Sequence, residues 1–185
     1  MLHYCGQEER AQQKIDSLEA AGEHFLPDRT ERDMFIANYY QIISRYETSK
    51  IYNRRVLKRL PKSFFANNNL GLFFGLQGKA DSAVYFSRTA YELDSTDIAS
   101  TNNYGYALFL SGEREKGQRL IERSLERNPT NHYALRNLAL VFREEDPERA
   151  LELMKRASYW CPPHEAVYDL IQEELAALSR QAEDE

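Results

Sequence analysis

The sequence is poor in cysteine, glycine and proline, with 2, 8 and 6 of them among 185 residues. The two cysteines, Cys5 and Cys161, lie near opposite ends of the chain. This placement gives neither a disulfide framework nor the Cys-x-x-Cys spacing of a zinc site. Few segments alternate between polar and apolar residues, which disfavours a β-sheet protein. No uninterrupted apolar run reaches the roughly 18 residues that a membrane-spanning helix requires.

The charge balance also excludes one class of partner. The chain carries 24 basic and 29 acidic residues, for a net charge of −5. A negative net charge disfavours general binding to phosphate backbones, so no nucleic-acid partner is expected. The apolar fraction of 42%, with 12 tyrosines and 9 phenylalanines, is typical of a folded protein with a large core.

No catalytic or metal-binding motif is present. The four histidines, His3, His24, His132 and His164, show no His-Glu-x-x-His spacing, and there is no Gly-x-Ser-x-Gly or glycine-rich phosphate loop. His132 and His164 each start a helical segment, where a surface or capping role is expected. Cys161 is either a small packing residue or a reactive thiol that lacks an identifiable base. We therefore predict no enzyme activity, no metal and no cofactor.

One sequence pattern occurs twice, as NNLGLFFGLQG at 68–78 and as NNYGYALFLSG at 102–112. A third copy covers 132–163 and has Asp146-Pro147 where the others have a glycine, the signature of a helix cap followed by proline at the first helical position. The three copies share an asparagine, then a large apolar or aromatic residue, then a small one, always at the same interval: Asn69, Asn103 and Asn137; Leu70, Tyr104 and Leu138; Gly71, Gly105 and Ala139.

Each copy predicts a pair of antiparallel helices. Apolar residues recur at spacings of three and four, the period of an amphipathic helix. Small residues in both halves allow the two backbones to approach closely, while Gly78 and Gly112 end the first helices and Pro129 and Pro162 end the second. One such pair cannot bury its apolar face alone, so neighbouring pairs must stack.

These units resemble tetratricopeptide repeats, whose pattern has the same period of about 34 residues and ends on proline. The chain departs from that pattern at Ser87 and Ile121, where an aromatic residue is usual, and it lacks the early tryptophan. The resemblance implies an all-α, right-handed superhelical solenoid of antiparallel helix pairs. Co-chaperone members of the family clamp a C-terminal carboxylate, but only Asn103 matches that set.

The period divides the chain into segments that form a single domain overall. A capping-box variant at Thr30–Asp33 is expected to start the degenerate repeat. A further helix is expected within residues 7–21. The predicted segments are an N-terminal segment at 1–29, a degenerate repeat at 30–63, repeats at 64–97, 98–131 and 132–164, and a capping helix at 165–181.

The resemblance implies that the first helices line a concave groove. Asn68 and Asn102 are expected to hold the backbone of an extended peptide, and Arg136 and Arg143 to take a carboxylate. Alternatively, these positions line the core between repeats, or the chain's own ends fill the groove. The consensus asparagines are expected to bond backbone between adjoining helices. The predicted groove residues are Phe65, Asn68, Leu72, Asn102, Tyr106, Phe109, Tyr133, Arg136 and Arg143.

The predicted function is that of a non-catalytic scaffold or adaptor that binds an extended segment of another protein in this groove. The alternative is a structural or assembly subunit that interacts through its end repeats, with self-association and an unused groove. The expected location is cytoplasmic. Because Leu-His-Tyr-Cys at 2–5 distantly resembles a lipobox, the alternative is a bacterial envelope lipoprotein anchored at Cys5.

Basic residues are concentrated at 45–62. They form either a solvated helix face or a docking patch for an acidic partner or an anionic surface. The basic residues are Arg45, Lys50, Arg54, Arg55, Lys58, Arg59 and Lys62.

Overall fold

A computed structural model describes residues 28–43, 45–163, 165 and 167–184, together with the isolated positions 13 and 17. Cys5 and most of the helix predicted at 7–21 fall outside these residues. Within them the structure is all-helical, which confirms the predicted fold class. The helices are α1 (Arg29–Ile42), α2 (Tyr46–Arg59), α3 (Phe64–Leu76), α4 (Ala80–Leu93), α5 (Ile98–Leu110), α6 (Arg114–Arg127), α7 (His132–Phe142), α8 (Pro147–Trp160) and α9 (Val167–Asp184).

The chain forms two compact units that divide between Pro61 and Lys62. In the first unit, α1 packs against α2. Ile36 and Ala37 are almost fully buried, and the Tyr40 ring stacks on Tyr52 with centroids 5.8 Å apart. Where the two helices cross, the buried Ser49 hydroxyl donates a hydrogen bond to the Ala37 carbonyl at 2.7 Å. A small residue at the crossing permits this close approach, as the repeat register predicts.

The start of α1 differs from the prediction. Asp28 is the N-cap, and its carboxylate accepts hydrogen bonds from the backbone amides of Thr30 and Glu31. The capping box predicted at Thr30–Asp33 is therefore wrong. Aspartate is among the strongest N-cap residues. With Asp28 as the cap, the helix begins at Arg29, and Thr30 lies within its first turn.

In the second unit the helices pack as α3 with α4, α5 with α6, and α7 with α8. Glycine is required where paired helices cross. A Cβ atom added to Gly105 would lie 2.8 Å from the Gly117 carbonyl oxygen, and one added to Gly71 would lie 2.3 Å from Ser87 Oγ. Ser87 is thus the small partner of Gly71 at a position where the repeat pattern usually has an aromatic residue.

The turns follow the predicted chemistry. Gly78 and Gly112 have φ angles of 66° and 90°, left-handed conformations that glycine adopts at little cost after a helix. Asp146 caps α8 by accepting from the Arg149 amide, and Pro147 occupies the first turn. The first helices have equivalent side-chain caps at Ser63, Asp97 and Asn131.

The last helix, α9, packs against α8. Its apolar stripe, which includes Val167, Ile171 and Leu178, belongs to the same buried cluster as Leu135, Leu138 and other residues of α7 and α8. It therefore covers the apolar face that the third repeat would otherwise expose. The helix spans 167–184, against the predicted 165–181.

Candidate functional site

The predicted groove residues all lie on the first helices of the three repeats or directly after them. These helices adjoin, with α3 against α5 and α5 against α7. Asn102 and Arg136 are buried, with 1% and 5% of their surface exposed, whereas Arg143 is exposed. The other six are half-buried: Phe65, Asn68, Leu72, Tyr106, Phe109 and Tyr133.

Four asparagine side chains form a continuous chain of hydrogen bonds across the repeats, which we call the amide ladder. Asn103 Nδ2 donates to Asn68 Oδ1 at 2.9 Å, and Asn102 Nδ2 donates to Asn103 Oδ1 at 3.4 Å. Asn137 Nδ2 then donates to Asn102 Oδ1 at 3.1 Å. Because a buried amide without partners is costly, the ladder ties the first helices of successive repeats together.

A buried ion pair continues the ladder towards α9. Arg136 Nη1 donates to Asn137 Oδ1 at 3.3 Å, and Arg136 Nη2 donates to Glu174 Oε1 at 2.6 Å. Arg136 Nε and Glu174 Oε2 are buried and make no hydrogen bond within the described part of the chain. Burial raises the pKa of the Glu174 carboxyl, and the Arg136 charge opposes that rise. The pair binds α9 to the third repeat.

These contacts change the interpretation of two predicted anchors. The Asn102 amide and the Arg136 guanidinium are buried and already bonded within the chain, so an external ligand does not reach them in this conformation. The expectation that the consensus asparagines bond backbone is also wrong for Asn103 and Asn137. Their partners in the ladder are side-chain amides, because the preceding repeat places Asn68 and Asn102 opposite them.

Glu174 is the functional residue that sequence reasoning missed. Its carboxylate binds Arg136, the residue that the sequence predicts to bind a ligand's carboxylate. The repeat register leads only to its neighbour, because the third repeat is one residue shorter and the inward position of Leu72, Tyr106 and Leu140 then falls at Glu173. The contact with α7 is therefore made one residue beyond the position that the register predicts.

Tyr106 lies at the centre of the half-buried set. Its ring is close to Gly75, where an added Cβ would lie 3.4 Å from Tyr106 Cδ1. The ring stacks on Phe109 with centroids 6.1 Å apart, and the Arg136 guanidinium carbon lies 5.9 Å from its centroid. Burial raises the pKa of the Tyr106 hydroxyl. This ring is therefore held from several sides and offers a fixed surface rather than an adaptable one.

Towards the third repeat, two further residues present polar and aromatic surface. The Tyr133 ring contacts His132 with centroids 4.6 Å apart, and His132 Nε2 lies 3.0 Å from Glu165 Oε2. Arg143 is exposed, and its charge acts on Glu174. We call the half-buried residues together with Arg143 the first-helix surface: Phe65, Asn68, Leu72, Tyr106, Phe109, Tyr133 and Arg143.

The described residues contain no group of histidine, cysteine, aspartate and glutamate side chains that could hold a metal ion. Cys161 is buried, and burial raises the pKa of its thiol to about 11, so it carries almost no thiolate at neutral pH. The predicted absence of enzyme activity and of cofactors stays a prediction. Among the described helices, none is both long and apolar enough to cross a membrane.

Comparison with solved structures supports the fold. The chain is similar to TTC0263, a tetratricopeptide repeat protein of Thermus thermophilus, with a TM-score of 0.63, 16% sequence identity, and coverage of 94% of this chain and 93% of that one. It is also similar to MamA of Desulfovibrio magneticus RS-1, with a TM-score of 0.64, 16% identity, and coverage of 84% and 88%. These similarities establish a tetratricopeptide-type fold and do not by themselves assign a function.

A third similar structure is a variant of the O-GlcNAc transferase of Thermobaculum terrenum. The TM-score is 0.57 and the identity is 25%, over 71% of this chain and 27% of the transferase. The transferase activity belongs to that protein, most of which has no counterpart in the match. No protein-family profile matches the chain, and no curated protein matches it either.

Proposed function

We propose that this protein is a non-catalytic scaffold that binds an extended segment of another protein along the first-helix surface. The observation that carries the proposal is the half-burial of Phe65, Tyr106, Phe109 and Tyr133 on adjoining helices. Aromatic side chains held on one side and accessible on the other are typical anchors of protein interfaces. The tetratricopeptide-type fold supports the proposal, because stacked helix pairs present extended binding surfaces.

Polar contacts with the bound segment would be made by the residues that remain accessible beside the ladder. Asn68 is half-buried and uses its carbonyl oxygen to accept from Asn103, so its amide nitrogen is the group that a ligand backbone would meet. Arg143 is exposed and suits an acidic side chain or chain terminus. The segment that fits this surface therefore carries apolar side chains with an acidic group near the end that meets the third repeat.

The test removes accessible groups and leaves the ladder intact. The variant Tyr133→Ala/Arg143→Glu alters the first-helix surface. Its matched control, Tyr85→Ala/Arg119→Glu, makes the same chemical changes on α4 and α6, where the side chains are 67% and 66% exposed. Both variants and the wild type would be used to capture partners from the native cell extract. Circular dichroism and urea unfolding would verify that all three fold.

We expect the wild type and the control to retain the same protein and the first-helix variant to lose it. Synthetic peptides that tile the captured protein should then locate one linear segment that binds with the affinity of the whole. Retention by the first-helix variant would refute the proposal. If binding were instead lost on truncating α9 or the N-terminal segment, the assembly-subunit alternative would replace it. We also propose a cytoplasmic location. Fractionation of cells that express the full-length protein tests it.

A further inference from the structure

The first unit contains a cavity of about 250 Å³ that this proposed function does not use. It lies between the N-terminal half of α1 and the last two turns of α2, and four of its six lining residues are arginines. We call it the arginine cavity. Its lining residues are Arg29, Arg32, Asp33, Ile36, Arg55 and Arg59.

Within the described residues, only one of these arginines is paired with a carboxylate. Arg59 Nη1 lies 2.6 Å from Asp33 Oδ2, and the Asp33 side chain is 11% exposed. For Arg29, Arg32 and Arg55, the part of the chain that the structure describes contains no carboxylate partner. The Arg55 guanidinium lies over the Tyr52 ring at 4.6 Å, a contact that holds the group in place without neutralising it.

Four arginines and one aspartate give the lining of the cavity a net positive charge, with Arg32 half-buried and the other three arginines exposed. Like charges repel, and the repulsion is strongest where a concave surface reduces the screening by solvent. The Arg136–Glu174 pair shows that one arginine is enough to bind one carboxylate in this chain. Three guanidinium groups that have no carboxylate partner among the described residues line this cavity, and together they match an oxyanion of more than one negative charge.

The size of the cavity limits the ligand further. Sites for drug-sized molecules have volumes of about 300 to 1,000 Å³. A cavity of about 250 Å³ is smaller than these and has room for an oxyanion that carries a small substituent. The planar guanidinium fork forms paired hydrogen bonds with phosphate oxygens, and a phosphate monoester is mainly a dianion at neutral pH.

We propose that the arginine cavity binds a phosphoryl dianion, either as free phosphate or as a phosphate monoester. Arg32 and Arg55, which approach the cavity from different helices, would bind the phosphoryl oxygens. Arg59 stays paired with Asp33, which fixes one wall. This is a second site, chemically distinct from the first-helix surface, and its function does not depend on the protein-binding proposal.

The test is calorimetric titration of the full-length protein with inorganic phosphate, and separately with phenyl phosphate, at constant ionic strength. The variant Arg32→Gln/Arg55→Gln removes two cavity charges. Its matched control, Arg54→Gln/Lys58→Gln, removes two charges from α2 at positions that do not line the cavity. Acetate serves as the monoanionic probe. Circular dichroism verifies folding, and Arg32→Lys provides a variant that keeps the charge.

We expect saturable binding of one phosphate per chain by the wild type and the control. The cavity variant should bind at least roughly tenfold more weakly, because hydrogen bonds to charged groups are lost. Arg32→Lys should fall between them, since lysine keeps the charge and loses the fork. Affinity should fall between pH 7.5 and 5.5 as the ligand becomes a monoanion.

Three results would overturn the proposal. One is the absence of saturable binding of either phosphate probe. Another is an equal loss in the control, which would show that overall charge rather than the cavity binds the anion. The third is acetate binding as tight as phosphate binding, which would assign the cavity to a carboxylate. If phenyl phosphate alone binds, the ligand is a monoester, and if phosphate binds equally, the free anion suffices.

Discussion

The amide ladder of the second unit and the arginine cavity of the first are both built from polar residues on neighbouring helices, yet they differ in how those residues are satisfied. In the ladder, Asn102 and Asn137 are bonded within the chain, and Arg136 faces Glu174. In the cavity, the carboxylate of Asp33 is paired with Arg59, and Arg32 and Arg55 form no ion pair within the described residues. The polar side chains of the ladder are bonded within the chain and stabilise the fold, whereas the unpaired arginines of the cavity are the groups that we propose bind a ligand.

The same comparison explains why recognition on the first-helix surface depends on aromatic residues. The ladder uses the asparagines that the sequence predicts as peptide anchors, and Arg136 is already bound to a carboxylate of the chain itself. What remains accessible is apolar surface with Asn68 and Arg143 at its edges. Substitution of Arg136 is therefore expected to lower the free energy of unfolding, whereas substitution of Arg32 and Arg55 is not.

The largest effect is expected at the ion pair. Arg136→Met keeps most of the volume but leaves the Glu174 carboxylate without its partner. We expect the free energy of unfolding to fall by about 3 kcal/mol, at the lower end of the range for broken buried pairs because Glu174 keeps 20% of its side chain exposed. Urea unfolding of the variant and the wild type measures the difference.

The double variant Arg136→Met/Glu174→Leu is the control for this prediction. Removing both charges should recover most of the loss, since no unpaired charge then remains buried. If the double variant is as unstable as Arg136→Met alone, the lost stability comes from packing and not from the ion pair.

A smaller effect is expected within the ladder. Asn137→Ala removes the donor to Asn102 Oδ1 and leaves that oxygen buried without a partner. The expected loss is about 2 kcal/mol in the free energy of unfolding. Asn38→Ala, at an exposed position on α1, should change stability by less than about 0.5 kcal/mol. Equal losses at both positions would contradict the structural role of the ladder.

The smallest effect is expected at the arginine cavity. Arg32→Gln/Arg55→Gln should leave the free energy of unfolding unchanged or raise it by a few tenths of a kcal/mol, because it relieves repulsion between like charges. Arg59→Gln should cost more, since it leaves Asp33 without its partner. If the double variant loses as much stability as is expected for Asn137→Ala, then Arg32 and Arg55 stabilise the fold, as Arg136 does, and are not free for a ligand.

Much of the fold was predictable because it depends on local chemistry that repeats. The small residues at Gly71 and Gly105 and the turn glycines at Gly78 and Gly112 lie where the period requires them. The start of α1 was not predicted, since the degenerate repeat has no second copy to fix its register. There, Asp28 competes successfully with Thr30 for the capping role.

The candidate site was less predictable, because burial depends on partners in neighbouring repeats. The sequence places Asn102 and Asn103 side by side, and nothing local distinguishes the one that meets the next repeat. Glu174 lies outside the recognisable repeats and one residue beyond the position that their register predicts. The arginine cavity unites residues that are far apart in the sequence, and only the packing of α1 on α2 brings them together.

The most direct test of the central claim is hydroxyl-radical footprinting of the protein with and without its captured partner. The half-buried aromatic residues Phe65 and Tyr133 report on the first-helix surface, and the exposed Tyr85 and Tyr159 report on the second helices. We predict that the partner lowers the oxidation of Phe65 and Tyr133 and leaves that of Tyr85 and Tyr159 unchanged. Protection of Tyr85 and Tyr159 with Phe65 and Tyr133 unchanged would contradict the account.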